Sequence, residues 1–172
     1  MKTVSQLIVE IAKASLRQKE KAGNAGFVSP AFEKRMKAAG FQSGYAWCAL
    51  FAELCWTEAF AQARPELLPE IAARFTPAAV PAFRSFEQSS IFKTGKVPKV
   101  GAVAIWLHGT TGWQGHAAIV TAVGANSFET IEGNTNAAGG REGIEVAAKT
   151  RPLLYSKLAG RLNLGGFIYP EL

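Results

Sequence analysis

The sequence predicts an α+β fold, with helices in the first part of the chain and an antiparallel sheet in the second. Hydrophobic residues make up 48% of the 172 and charged residues 19%, which is the composition of a folded globular domain. Apolar residues recur at helical spacing near the start, whereas the part after Pro98 consists of short β-rich runs separated by Gly and Asn turns. We expect one domain over residues 1–172, because this length suits a single core.

Residues 1–40 are predicted to form a helical lead-in. A first helix is expected over about residues 4–21. Five apolar residues repeat there at helical spacing: Val4, Leu7, Ile8, Ile11 and Leu16. Gln6, Glu10 and Lys13 interrupt the stretch that would have to be apolar in a secretory signal peptide. A second helix is expected to begin at Pro30 and to end at Gly40.

Residues 41–63 are predicted to carry the central helix of the domain. The segment "AWCALFAELCWTEAFAQA" contains no Gly or Pro and is rich in good helix formers. Its two cysteines, Cys48 and Cys55, are separated by about 10 Å along a helix axis, beyond the roughly 7 Å that a disulfide tolerates. The sequence therefore predicts two free thiols.

The rest of the chain divides at Pro98. Residues 64–98 are predicted to be a Pro-rich connection, with one short helical piece over 64–82 and another short helix in "AFRSFEQSSIF". Residues 99–170 are predicted to form an antiparallel meander from five runs: "VGAVAIW", "HAAIVTAV", "SFETIEG", "GIEVAAKT" and "GGFIYP".

Cys48 is a candidate for chemistry because its thiol falls in the first turn of the predicted central helix. Unpaired backbone N–H groups and the helix dipole stabilise an anion there, and both lower the pKa of a thiol. The alternative is a buried, unreactive cysteine, which is common. Cys55 lies in the middle of an apolar helix face and is predicted to belong to the core.

A nucleophilic thiol needs a base, and the chain contains only two histidines. His108 lies in the Gly/Thr-rich segment "LHGTTGWQG" and is expected to be an exposed bystander. His116 begins the predicted strand "HAAIVTAV", where backbone pairing would fix the orientation of its ring. By itself, His116 is equally well explained as a polar strand end or as a catalyst.

The motif "IEGN" supplies two polar residues that a hairpin would bring to His116. If the two strands pair so that Val123 faces Ser127, Asn134 lies opposite His116, and Glu132 points to the same face of the sheet. A carboxylate or amide there can hold the tautomer of the imidazole and stabilise its protonated form. The alternative is an ordinary turn after a strand.

Residues just before Cys48 could stabilise the oxyanion of an attacked carbonyl. Gln42 and Tyr45 could each aim a donor at it, beside the backbone N–H of Cys48. Turn polarity explains Gln42 equally well. Three tryptophans are candidates for lining a substrate groove or for packing in the core: Trp47, Trp106 and Trp113.

Taken together, "AWCALFAELCW", "PKVGAVAIW", "GHAAIVTAV" and "IEGN" occur in the order and spacing of a CHAP domain, the Cys/His-dependent amidase/peptidase family related to NlpC-type peptidases. The chain resembles this family over roughly residues 40–169. The resemblance implies a papain-like α+β fold, in which a catalytic helix packs on an antiparallel sheet. It also implies that Cys48 is the nucleophile, that His116 is the base, and that Glu132 and Asn134 support the base.

The chain departs from the family's pattern in two places. The family often has Gly-Asp where this chain has Gly101 and Ala102. Some members carry an acidic calcium loop just ahead of the cysteine, whereas "GFQSGYAW" contains no carboxylate. We therefore expect no calcium or other metal here, and no cofactor.

The formal charge of +6 and the pI of about 9.5 favour anionic partners. Because the basic residues are scattered and no nucleic-acid motif is present, we expect no nucleic acid as a partner. The resemblance to CHAP domains implies bacterial peptidoglycan as the partner, since cutting its amide bonds is the usual work of that family. No apolar stretch reaches the roughly 18–20 residues that a membrane span needs. We expect a monomer that is made in the cytoplasm without a Sec signal peptide and that acts on the cell wall.

The sequence thus predicts a cysteine hydrolase that cuts a peptidoglycan amide, at the sugar–peptide bond or within the stem or cross-bridge peptide. A phage lysin and a toxin delivered by a secretion machine both fit this prediction. One alternative is a non-catalytic module of the same fold that binds the wall or forms part of a phage particle or secretion machine. Another is an enzyme of the same mechanism that acts on protein or on small amides.

Overall fold

The structure is a computed structural model that describes residues 2–135 and 143–171. Its helices are α1 (Val4–Ala14), α2 (Pro30–Ala38), α3 (Cys48–Ala63), α4 (Leu68–Arg74) and α5 (Ala79–Glu87). Its strands are β1 (Thr94–Gly95), β2 (Val103–His108), β3 (Gly115–Val123), β4 (Ser127–Thr135), β5 (Glu145–Pro152) and β6 (Leu162–Ile168). The helices pack against one six-stranded antiparallel sheet, which confirms the predicted α+β class.

Local sequence explains where the first helices begin. Thr3 and Gln6 form a reciprocal capping box at the start of α1, and Ser29 caps α2 just before Pro30. In contrast, α3 begins without a side-chain cap, and Trp47 occupies its N-cap position. The start of α3 therefore keeps backbone N–H groups that no capping side chain satisfies.

The first helix is shorter than predicted. It ends at Ala14 rather than near residue 21, and the next residues turn toward the sheet. The N–H of Arg17 donates to the carbonyl of Val146 at 3.0 Å, and the N–H of Glu20 donates to Ile144 at 2.8 Å. Residues 17–20 therefore lie along the outer edge of β5, and this long-range pairing overrides the local helical pattern.

The connection over residues 64–98 contains more helix than predicted. A short 3₁₀ turn (Pro65–Leu67) leads into α4, and α5 begins at Ala79, earlier than the segment "AFRSFEQSSIF" suggests. Pro69 and Pro81 lie in the first turns of α4 and α5, where a backbone N–H has no intrahelical partner to lose. The prolines therefore start these helices rather than prevent them. The two-residue strand β1 was not predicted.

The strand order of the sheet is β1-β6-β2-β3-β4-β5. Strands β2 to β5 form the predicted meander, although residues 136–142, between β4 and β5, lie outside the described residues. The prediction is wrong for β6, which pairs with β2 instead of continuing the meander beside β5. Residues 17–20 occupy the outer edge of β5, and the last strand lies along the edge of β2 that faces away from β3.

The main core lies between the helices and one face of the sheet. A fully buried ring system surrounds Trp56 of α3, which contacts Phe60, Phe75, Phe86 and Phe92 at centroid distances of 5.5–5.8 Å. Cys55 is completely buried on the same helix, and both cysteines are free. The predictions of a core position for Cys55 and of two free thiols are therefore confirmed.

A smaller apolar cluster covers the other face of the sheet. Ala102 is completely buried in it, together with residues such as Trp106 and Phe128. An aspartate in place of Ala102 would bring a carboxylate into this apolar cluster, so the alanine suits its surroundings. The carbonyl of the preceding Gly101 accepts a hydrogen bond from the indole of Trp56 at 3.2 Å, which ties the start of β2 to α3.

Candidate active site

Cys48 is the first residue of α3 and its thiol lines an open cavity of about 800 Å³, called the Cys48 cavity below. The residue is only 6% exposed, so it borders this cavity with little of its surface open to solvent. His116 and Asn134 line the same cavity, as does Trp113 at its rim. The thiol is therefore accessible and lies beside the polar residues of two strands.

Gly133 brings strand β4 against the first turn of α3. A Cβ atom at this position would lie 2.7 Å from the Cβ of Phe51 and 2.7 Å from a ring carbon of Trp47, closer than packed atoms approach. The absence of a side chain at Gly133 therefore allows the backbone of the "EGN" motif to contact the helix that carries Cys48. Gly115 has a similar role, because its Cβ would collide with the carbonyl of Trp106 on β2.

The register of the β3–β4 hairpin is partly as predicted. Ile119 pairs with Ile131, which is the predicted alignment, but a bulge near Thr121 shifts the turn by one residue, so Val123 pairs with Phe128 instead of Ser127. The described ladder between β3 and β4 ends at the pair of Ile119 and Ile131, so it does not include the predicted pair of His116 and Asn134. Asn134 adopts a left-handed conformation with φ of 53°, at the point where the pairing of β4 with β5 shifts its register.

His116 and Glu132 are in direct contact. The imidazole Nε2 lies 2.8 Å from Oε2 of Glu132, and the carboxylate is completely buried. Because Nε2 faces Glu132, the interaction of the ring with Cys48 uses its other nitrogen, Nδ1. Glu132 is thus the polar partner of His116, and Asn134 is instead a residue of the cavity wall.

Arg151 holds Glu132 from the opposite side. Its Nε donates to Oε1 at 2.7 Å and its Nη2 donates to Oε2 at 2.6 Å, while the hydroxyl of Thr130 donates to Oε1 at 2.6 Å. The guanidinium also lies 5.3 Å from the ring centroid of Trp106, which packs against the imidazole of His116 at 5.9 Å. The buried carboxylate therefore has a complete set of donors.

The charges in the cluster stabilise a thiolate and an imidazolium. Burial alone raises the pKa of the Cys48 thiol, but His116 and the backbone N–H groups of Ala117 and Ala49 outweigh it, so the pKa lies below its usual value. Burial alone lowers the pKa of His116, but Cys48 and Glu132 raise it to about 10. Each of the two groups thus favours the charged form of the other, a negatively charged sulfur beside a positively charged ring.

Glu132 remains ionised despite its burial. Burial raises the pKa of its carboxyl group, but the hydrogen bonds and positive charges of His116 and Arg151 hold that pKa far below its usual value. The charges therefore alternate from Cys48 through His116 and Glu132 to Arg151. Such an arrangement can keep a nucleophile ionised and a proton donor beside it.

Comparison with known proteins agrees with this geometry. A family model of the CHAP domain matches residues 40–134, which is more than half of the chain. The chain belongs to the CHAP domain family. No match was found among curated proteins or among solved structures. CHAP domains are generally hydrolases of a peptidoglycan amidase or peptidase type, which gives the coarse functional class of this chain.

The three tryptophans differ in their positions within this CHAP domain. Trp47 is completely buried among aromatic rings, and its indole donates to Glu20 at 2.6 Å, so the groove position is wrong for it and the alternative, a core position, is confirmed. Trp106 is buried beside His116 and Arg151 rather than in a groove. Trp113 is 63% exposed at the rim of the Cys48 cavity, as a groove residue would be.

The other predicted residues near Cys48 are less closely placed. Gln42 and Tyr45 are exposed in the loop before α3, where the N–H of Tyr45 donates to the carbonyl of Gln42 at 3.0 Å, and neither lines the Cys48 cavity. Their contribution to an oxyanion site stays a prediction. His108 is exposed, as predicted, but it also lines the cavity, so it lies nearer to Cys48 than a bystander would.

Sequence reasoning did not find Arg151 or Thr130. Arg151 pairs with Phe128, and its long side chain runs back along the same face of the sheet to reach Glu132. The only signal in the sequence for Arg151 was the alternation of side chains along β5. This alternation places Arg151 near Glu132 only if the register between β4 and β5 is known. Thr130 could have been found, because it lies two residues before Glu132 on the same face of β4.

The described residues offer no ready metal site and no membrane span. Within residues 2–135 and 143–171, no three side chains of His, Cys, Asp or Glu are grouped so that they could hold a metal ion. In that same part of the chain, none of the helices combines the length and apolar character that a bilayer crossing demands.

Proposed function

We propose that this CHAP domain hydrolyses an amide bond of peptidoglycan, with Cys48 as the nucleophile and His116 as the acid and base. One observation carries the proposal: at the start of α3, Cys48 lines an open cavity beside an imidazole that a buried carboxylate orients, and that imidazole lowers the pKa of the thiol. The family supplies the substrate class, and the geometry supplies the groups that the chemistry needs.

The first half of the reaction forms a thioester. The Cys48 thiolate attacks the carbonyl carbon of the amide, a carbon–sulfur bond forms, and the carbonyl oxygen becomes negatively charged. The imidazolium of His116 then gives its proton to the nitrogen, the carbon–nitrogen bond breaks, and the amine leaves. Glu132 holds the ring through Nε2 during these steps, so that Nδ1 faces the reacting atoms.

The second half releases the product. The neutral imidazole takes a proton from a water molecule, whose oxygen attacks the thioester carbon. The carbon–sulfur bond breaks, the carboxylic acid leaves, and the thiolate and imidazolium are restored. The charge of Glu132 stabilises the imidazolium in both halves, and Arg151 keeps that charge in place.

The oxyanion is proposed to form near the uncapped start of α3. The backbone N–H of Cys48 is part of the first helical turn, where no intrahelical acceptor is available. The side-chain amide of Asn134, which lines the same cavity, is a second candidate donor. Both groups lie on the side of the cavity where α3 and β4 meet.

The experiment incubates the pure protein with purified sacculi of several wall chemotypes and searches for new amino groups by mass spectrometry. The Cys48→Ala variant is the matched control. New termini with the parent and none with the variant are expected, and their masses would identify the amide that is cut. If the variant cleaved as fast as the parent, the proposed nucleophile would be wrong.

The main alternative function is a non-catalytic wall-binding module of the same fold. It predicts that the parent protein binds sacculi but releases no new amine from any chemotype. Release of amines from protein or small amides, but not from sacculi, would instead indicate the same chemistry with a different substrate.

A further inference from the structure

A second cavity, of about 1050 Å³, lies next to the Cys48 cavity and has no part in the chemistry described above. Its walls come from α5, the residues that follow β1, the end of β2, residues 155–157 and strand β6. It is large enough for a drug-sized or oligopeptide group, since ligand pockets range from about 300 to 1,000 Å³.

The two cavities share one wall. Three pairs of consecutive residues lie with one member in each cavity: Ala79 and Val80, His108 and Gly109, and Leu162 and Asn163. Because consecutive Cα atoms are about 3.8 Å apart, the wall is only one backbone thick at these points. A ligand that lies at Cys48 is therefore close to the second cavity.

Asn163 makes this wall a fixed structure. Its side chain is buried, and its Nδ2 donates to the carbonyls of Gly109 at 2.7 Å and Leu158 at 2.9 Å. Its Oδ1 accepts from the hydroxyl of Ser156 at 2.7 Å and from the N–H of Leu158 at 2.9 Å. The loop before β6 and the loop after β2 are thus held together by one saturated side chain.

The charge of the second cavity favours an anion. Arg84, Lys96 and Lys157 line it, whereas Glu87 is the one carboxylate among its lining residues in the described part of the chain. The ammonium group of Lys96 lies 5.1 Å from the ring centroid of Tyr155, and Lys157 is exposed at the mouth. Three cations against one carboxylate give a local positive field that attracts a carboxylate.

We propose that the second cavity is an accessory subsite that binds a carboxylate of the peptidoglycan fragment whose amide lies at Cys48. This inference rests on the proposed function and deepens it, because it names substrates with a free carboxylate near the scissile bond. Both cavities are open to the surface, and a peptide extends by about 3.3–3.6 Å per residue, so a carboxylate two or three residues from the amide can reach over a wall that is one backbone thick.

Binding experiments in the Cys48→Ala background test the subsite without turnover. The variants are Lys157→Glu, in the second cavity, and Lys13→Glu, exposed in the last turn of α1 and outside both cavities. Both make the same change in net charge. The probes are two muropeptides that differ only in whether the glutamyl carboxyl group of the stem is free or amidated, and calorimetry gives each Kd.

We expect Lys157→Glu to weaken binding of the free-carboxylate probe by about fivefold, because reversing an exposed charge both removes an attraction and adds a repulsion. Lys157→Glu should change the Kd of the amidated probe by less than about twofold. Lys13→Glu should change the Kd of both probes by less than about twofold. Equal weakening by both variants would show general attraction to charge and overturn the subsite. Equal weakening of both probes would overturn it too.

A parallel assay with intact Cys48 separates this proposal from the proposed function. If sacculi are cut but Lys157→Glu binds both probes as Lys13→Glu does, the proposed subsite is wrong and the proposed hydrolysis is unaffected. If no amide is cut but the selective loss of binding is seen, the subsite stands in a non-catalytic module. Failure of the parent to bind either probe or to cut sacculi would overturn both proposals.

Discussion

Arg151 donates a hydrogen bond to each oxygen of the buried Glu132 carboxylate, with its Nε 2.7 Å from Oε1 and its Nη2 2.6 Å from Oε2. Glu132 in turn lies 2.8 Å from the imidazole of His116, whose charge lowers the pKa of Cys48. A buried carboxylate without a cationic partner tends to take up a proton. The ionisation of the thiol on α3 therefore depends on a side chain from β5, two strands away from the imidazole.

Replacement of Arg151 by glutamine should raise the apparent pKa of Cys48. Without the guanidinium, Glu132 loses two charge-assisted hydrogen bonds and its own pKa rises, so the carboxylate holds the imidazolium less firmly and a positive charge near Cys48 is lost. The midpoint of the pH profile of alkylation by iodoacetamide should move up by about one unit, which is a tenfold loss of thiolate at any pH below both midpoints. The alkylation profile of Arg151→Lys should lie between those of the parent and of Arg151→Gln, because lysine keeps the charge but not the bidentate geometry.

The pH profile distinguishes this effect from a loss of stability. In a Glu132→Gln background, Arg151→Gln should produce no further shift of the alkylation profile, because its effect passes through the carboxylate. Arg64→Gln, which removes an exposed ion pair with Glu66, is the control and should leave the profile unchanged. If Arg151→Gln lowered the melting temperature but left the alkylation profile unchanged, the role of Arg151 would be structural only.

The two cysteines should differ sharply in function. Cys48→Ala should lower amide hydrolysis by at least about a thousandfold, because no other group can form the thioester. Cys55→Ala should keep nearly full activity, since Cys55 is buried in the core and burial raises the pKa of its thiol. Mass spectrometry of iodoacetamide-treated protein should locate the label on Cys48 alone. Equal labelling of the two sites would contradict the assignment.

The dependence of hydrolysis on pH should be bell-shaped. The thiolate forms as the pH rises through the pKa of Cys48, which lies below its usual 9.0, and the imidazolium is lost as the pH rises through about 10, the raised pKa of His116. Hydrolysis needs both species and should fall above about pH 10, whereas alkylation needs only the thiolate and should not fall there. In His116→Ala, only the backbone N–H groups of Ala117 and Ala49 still oppose the effect of burial, so the alkylation profile should move to higher pH.

Local patterns predicted those parts of the site that depend on one or two neighbouring segments. The position of Cys48 at a helix start follows from the composition of α3, and strand alternation in β3 and β4 places His116 and Glu132 on one face of the sheet. Alternation did not decide whether Glu132 or Asn134 contacts the imidazole. Arg151 was missed because its contact depends on the register of β5 against β4. Alternation alone does not specify that register.

Tertiary contacts explain the other differences. The helical pattern near residues 15–20 gives way because the backbone there pairs with the edge of β5, as the hydrogen bond from Arg17 to Val146 illustrates. Trp47 precedes Cys48 in the sequence, yet its side chain turns into the aromatic core while the thiol turns to the cavity. Adjacent residues at a helix start point in different directions, and sequence spacing does not reveal which of them is buried.

Gly133→Ala should both destabilise the fold and reduce the reactivity of Cys48. The new Cβ would lie 2.7 Å from atoms of Phe51 and Trp47, so β4 must move away from α3. We expect a loss of about 1–3 kcal/mol in the free energy of unfolding, as for other overpacked sites. Denaturant unfolding and alkylation rates measure the two effects. Gly124→Ala at the hairpin turn, where the nearest atom is 3.2 Å away, is the matched control. Equal effects of the two changes would contradict the close packing.

Trp113→Ala should weaken substrate binding without changing the reactive pair. The indole is 63% exposed at the rim of the Cys48 cavity, so it can stack on a bound fragment and contributes little to the core. For soluble wall fragments we expect KM to rise by about three- to tenfold with kcat nearly constant, since loss of uniform binding affects KM alone. Alkylation of Cys48 should be unchanged, and Val28→Ala, an exposed apolar residue outside the Cys48 cavity, should have no effect on KM. A parallel fall in kcat and in alkylation would mean instead that Trp113 shapes the catalytic pair, because only then would its removal reach the thiolate itself.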